Sequence, residues 1–203
     1  MGGTIFWDVD TQYDFMFSDG KLYVPGAEEI LPALARLVRH ARAKGLRLWG
    51  SVDHHGLGDP ELSDRPDFAA TYPPHCLAGT PGAAKVDATR PADPLWVDGD
   101  PVAAERILEH RGEVIFRKQR FDVFSNPNAE RALAAAAPEE VVVFGVAADV
   151  CNRYAIEGML ARGHRVAAVR DAMRAIRADV GERLLDEWAR RGVRIVSSAE
   201  LLK

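Results

Sequence analysis

Only two cysteines occur in the 203 residues, Cys76 and Cys151. A disulfide scaffold normally carries more, so separate roles are expected for the two thiols. No apolar run approaches the ~20 residues needed to cross a bilayer. The N-terminal MGGTIFWDVD lacks the basic flank and long apolar stretch of a secretory signal. Basic residues are dispersed and the net charge is −4, so the concentrated positive face that nucleic-acid binding requires is missing. No Lys/Arg cluster marks a membrane surface, and there is no internal repeat, low-complexity tract or linker. These absences predict a cytoplasmic protein with neither nucleic-acid nor membrane partner. With 47% apolar and 28% charged residues, the chain reads as a single domain over residues 1–203.

What is present is an alternation of two periodicities. TIFWDVD (4–10) reads as a strand, and residues 27–44 carry Ile30, Leu34, Leu37, Val38 and Ala41 at helical spacing, stopped by Gly45. Further strands are expected at 46–52, 113–118, 140–145, 164–169 and 193–196. Helices are expected at 128–136, 149–162 and 178–191. This pattern predicts a three-layer α/β/α fold around a mostly parallel six-stranded sheet. The stretch from Asp53 to about Pro101 holds eight of the twelve prolines and reads as one long functional loop.

In open α/β sheets, ligands bind beyond the carboxyl ends of the strands. That rule brings Asp10, the Asp53–His55 cluster, Lys118 and the turn before Cys151 to one rim. Cys151 falls in the first turn of its helix, where free backbone N–H groups favour negative charge. With Lys118 nearby, a lowered thiol pKa is expected. Those N–H groups, with the ones in the Gly145–Asp149 turn, suit the oxyanion formed when a thiolate attacks an amide. Asp10 is the acid placed to move the proton. Singly, each residue has a structural explanation, since a lone cysteine after a strand is more often a buried small hydrophobe. Their convergence favours catalysis.

A second group lies in VDHHGLGDPELS and YPPHC. Asp53 and His55 leave a strand two residues apart and point the same way, and His75 sits behind paired prolines. One carboxylate and two imidazoles suit a divalent ion: Zn²⁺, Mn²⁺ or Fe²⁺. Further ligand candidates are His54, Asp59 and Glu61, with Glu61 placed best.

Together, VDTQYDF, VDHH, PPHCLAGTPG, the lysine ending FRK and GVAADVC resemble the isochorismatase-like cysteine hydrolases, and among them the nicotinamidases. The motifs stand in family order from Asp10 to Cys151. The resemblance implies an isochorismatase-like hydrolase fold with a triad of Asp10, Lys118 and Cys151. It also implies a cis peptide at Val146–Ala147, with the backbone N–H groups of Ala147 and Cys151 as the oxyanion hole. Asp53, His55 and His75 become metal ligands, with Glu61 as a possible fourth and zinc as the first choice of ion. Phe15 and Tyr72 would wall a pyridine pocket, and a homo-oligomer is implied. Ala148 departs from the family pattern, standing where many members have threonine. The expected activity is hydrolysis of nicotinamide to nicotinate and ammonia through a Cys151 thioester. The alternatives are another small-amide or ureide hydrolase and a catalytically silent metal- or pyridine-binding protein. A Cys76–Cys151 redox pair is a third.

Overall fold

A computed structural model describes residues 3–203. In chain order the strands are β1 (Thr4–Val9), β2 (Arg47–Asp53), β3 (Pro94–Val97), β4 (Glu113–Lys118), β5 (Glu140–Val146), β6 (Val166–Arg174) and β7 (Arg194–Val196). The helices are α1 (Tyr13–Met16), α2 (Leu31–Ala43), α3 (Ala104–Glu109), α4 (Pro127–Ala136), α5 (Cys151–Ala161), α6 (Ala178–Arg190) and α7 (Ser198–Leu201). All strand pairs are parallel, in the order β3-β4-β2-β1-β5-β6-β7.

The sheet therefore has seven strands rather than the expected six. The additional one, β3, lies inside the stretch read as a loop. It is short, begins at Pro94 and sits at the sheet edge, where a missing N–H costs no ladder bond. Four residues with a leading proline give little periodicity to detect. The expected three-layer arrangement is present. Ile5, Trp7 and Val9 of β1 enter one core with α3–α6, whereas Phe6 enters the other with α1 and α2. In the first core, the Trp7 and Phe116 rings stack at 5.4 Å and Trp49 meets both edge-on. Such pairs contribute ~0.5–1.5 kcal/mol beyond burial.

The order places a topological switch at β1, which pairs with β2 on one side and β5 on the other. Ligand-binding crevices form at such points. The β5–β6 register shifts between Val143 and Gly145, an irregularity that bends a strand end. Gly145 adopts φ +116° there, and a side chain on it would meet the Val9 carbonyl oxygen at 2.1 Å. Only glycine fits, and the chain turns at that point towards Cys151. No helix among the described residues is long and apolar enough to cross a membrane.

Candidate active site

Four strand ends converge as the sequence implied. Asp10 follows β1 in the left-handed conformation (φ 48°) and is fully buried. Asp53 and Lys118 end β2 and β4, which are paired at these two residues. Cys151 is the first residue of α5, two positions later than the expected helix start. Lys118 Nζ lies 2.9 Å from Asp10 Oδ2 and 3.6 Å from Cys151 Sγ, and it also contacts Asp53 directly. Burial opposes the charge on Lys118, but Asp10 and Asp53 outweigh it and hold the ammonium well above its usual range.

One expectation is corrected. The Cys151 thiol is not acidified at rest: burial pushes its pKa well up, and the two carboxylates add to that against the lowering by Lys118. The helix end and the lysine are local terms, whereas removal from water acts on the whole side chain.

The Val146–Ala147 peptide is cis, as the resemblance implied. Around it, the N–H groups of Ala148, Val150 and Asn152 are committed to Arg174 O, Ala147 O and Ala147 O. Among the described residues, the Ala147 and Cys151 N–H groups have no such acceptor, which suits an oxyanion hole.

Asp53, His55 and His75 are buried, with potential ligand atoms within 4.8 Å of one another. The His55 and His75 Nε2 atoms lie 3.8 and 3.5 Å from Asp53 Oδ2. Their Nδ1 atoms face Asp59 Oδ2 at 3.1 Å and the Pro73 carbonyl at 2.8 Å. Outer partners of this kind turn Nε2 towards a shared ion. His55 Nε2 is buried without a hydrogen-bond partner, as fits an atom reserved for a metal. Burial opposes the charged form of His55, but Asp53 and Asp59 raise its pKa, so a proton and a cation compete for that nitrogen. Burial likewise opposes ionisation of Asp53, yet Lys118 and the two histidines bring its pKa well down. The donor set fits a divalent ion of the zinc, manganese or iron type. Glu61 is not gathered with these three: its carboxylate accepts a hydrogen bond from Phe121 N at 3.0 Å, and burial raises its pKa.

Phe15, Tyr72, His75, Ala147 and Cys151 line one cleft, about 340 Å³ including its open mouth. Leu22, Val24 and Asp53 line it too, as do Phe121, Val150 and Ile176. Sequence reasoning missed the last three because their approach depends on loops from separate parts of the chain. It also missed two supports. Ser51 donates to Asp10 Oδ1 at 2.7 Å. Fully buried Gln12 receives Asp53 N–H at 2.7 Å and donates to the Asp53 carbonyl at 2.7 Å and to Ala83 O at 3.0 Å. Its place in VDTQYDF, two residues after Asp10, was the available signal. Gln12→Ala is expected to cost about 2–4 kcal/mol, because buried backbone groups at Asp53 lose their partners. It should also weaken metal binding. Denaturant unfolding and metal titration would check both, and unchanged values would remove Gln12 from this role.

The Isochorismatase domain model matches residues 5–200. The chain belongs to the isochorismatase family and is one of its cysteine hydrolases. An N-carbamoylsarcosine amidase from an Arthrobacter species is 30% identical over 142 residues, covering 70% of this chain and 48% of that protein. The chain thus spans about half the length of that relative. The nicotinamidase/pyrazinamidase of Mycobacterium tuberculosis (strain ATCC 25618 / H37Rv) is 26% identical over 193 residues, with 94% and 97% coverage. Among solved structures, the pyrazinamidase of Pyrococcus horikoshii in complex with zinc is similar at a TM-score of 0.77. Its identity is 27%, with 96% of this chain and 98% of that one covered.

Proposed function

We propose that this hydrolase is a metal-containing nicotinamidase that converts nicotinamide to nicotinate and ammonia. The observation that carries this is that Cys151 lines one mostly apolar cleft, walled by Phe15, Tyr72 and Phe121, together with Asp53 and His75 of the Asp53–His55–His75 group. A flat aromatic amide suits such walls. The relatives that act on nicotinamide or pyrazinamide, one of them solved with zinc, support the same reading.

In this mechanism Asp10 takes the thiol proton and Sγ attacks the carboxamide carbon. The carbonyl oxygen becomes an oxyanion held by the Ala147 and Cys151 N–H groups. Collapse breaks the C–N bond, and Asp10 returns the proton to the leaving nitrogen, releasing ammonia. Water then attacks the thioester while Asp10 accepts its proton. Nicotinate departs and the thiol is restored. Lys118 neutralises the carboxylates and faces the sulfur as its charge develops. A divalent ion held by Asp53, His55 and His75 would supply a Lewis-acid contact for a pyridine nitrogen or for ordered water.

Ureide hydrolysis is a second reading, favoured by the likeness to the N-carbamoylsarcosine amidase. The cleft opposes it, because among the described residues no Lys or Arg is in its lining to pair with a carboxylate. Purified zinc-loaded protein is expected to release ammonia from nicotinamide and to lose that activity on chelation, with recovery when zinc is returned. Absence of release from the metal-loaded protein would rule out the nicotinamidase reading.

A further inference from the structure

We infer that Ile176 is the residue that makes this site select uncharged amides over carboxylate-bearing ones, and that Asp149 positions it. The inference rests on the nicotinamidase reading for where the acyl group lies. Ile176 follows β6 and lines the cleft while remaining 36% exposed, so it forms part of the mouth. The next residue, Arg177, points its side chain to solvent, 68% exposed, with Asp179 at 3.5 Å. Two residues before Ile176, at the end of β6, Arg174 is paired with Glu29 at 2.7 Å. Cations therefore stand close by in sequence, yet an isoleucine meets the substrate.

What sets that choice is a clamp from the nucleophile turn. The two carboxylate oxygens of Asp149 accept separate hydrogen bonds, from Ile176 N at 2.8 Å and from Arg177 N at 2.9 Å. Ala148 N donates to Arg174 O at 2.7 Å, adding a third tie between the same two segments. A carboxylate gripping two successive N–H groups fixes the rotation of that backbone, and with it which side chain faces inward. Asp149 is two residues from Cys151, so one turn places both the nucleophile and the outer wall of its substrate cleft.

The chemistry follows from charge. A substrate carboxylate at the mouth would lose water against Ile176, with no Lys or Arg in the lining to replace it, and burying an unpaired charge is strongly unfavourable. An uncharged ring meets a matching apolar surface there.

The test uses zinc-loaded protein and measures ammonia release from nicotinamide, benzamide and N-carbamoylsarcosine, the last as the carboxylate-bearing probe. Binding of each is also measured calorimetrically in the Cys151→Ala background. Wild type is expected to prefer an uncharged amide over the ureide by at least about 100-fold in kcat/KM. Ile176→Arg should lower kcat/KM for the uncharged amide about 10–100-fold and tighten ureide binding about tenfold or more. Asp149→Ala should raise KM for the uncharged amide about tenfold with kcat changed far less, a split that a general folding defect would not produce.

If benzamide is hydrolysed and nicotinamide is not, the nicotinamidase reading falls and the role of Ile176 stands. Ureide turnover within tenfold of the best uncharged amide overturns the inference whatever nicotinamide does. An unchanged ratio in Ile176→Arg overturns it too. Failure of every uncharged amide both to bind and to react overturns both readings.

Discussion

Cys151→Ala is expected to lower amide turnover by about 10⁴-fold or more, since removing a nucleophile leaves only binding and the oxyanion hole to act. The protein should remain folded. The side chain is 7% exposed and small, so losing its sulfur should change stability by only about 1 kcal/mol. Cys151→Ser is the sharper control. It keeps the shape, but an alcohol gives up its proton far less readily than a thiol, so it should be nearly as inactive. Mass spectrometry during turnover should detect an acyl adduct on Cys151 in the wild type and none in the alanine variant. Activity within tenfold of wild type in either variant would end the thioester mechanism.

Lys118→Met is expected to have the largest effect on stability. Lys118 is 1% exposed and lies against Asp10 and Asp53, themselves buried. Removing it leaves two carboxylates close together with no cation between them. Breaking a buried ion pair from one side costs about 3–5 kcal/mol, read here by urea unfolding of metal-free protein near pH 7. The pH dependence gives an independent check. In the wild type the Asp53 pKa is held well below its usual value, so its contribution is complete above the unfolded value near ~3.9 and is lost as pH falls through the folded value. In the variant, burial is opposed only by His55 and His75, so that carboxyl moves up relative to the wild type. Its penalty then grows as pH rises through and above the unfolded value. The stability gap should therefore narrow as pH is lowered towards about 4. A loss under about 1 kcal/mol at neutral pH, or a gap that widens on acidification, would refute the account.

The residues carrying chemistry were legible because they stand at ends of periodic segments. TIFWDVD and EVIFRK read as strands, so Asp10 and Lys118 fell on one rim, and the apolar run 141–144 leading to Gly145 marked the turn before Cys151. Asp53, His55 and His75 were equally visible from their residue types and from the prolines around His75. β3 escaped because four residues beginning with proline carry almost no alternation. Glu61 was placed as a possible ligand from its residue type in DPELS, between His55 and His75, and from the family resemblance. The loop instead turns its carboxylate to the backbone of Phe121.

By itself the sequence determined which groups exist and the order in which strands deliver them. That follows from patterns two or four residues long, which local sterics and hydrophobic periodicity decide. Only the tertiary structure decided the state of those groups. Cys151 stands at a helix end beside a lysine, which locally favours a thiolate, yet burial and two carboxylates from other strands push its pKa up. Ile176 faces the cleft because Asp149, 27 positions earlier, grips its backbone. Desolvation and long-range hydrogen bonds sum over neighbours that the chain brings together only on folding, and no local pattern records that sum.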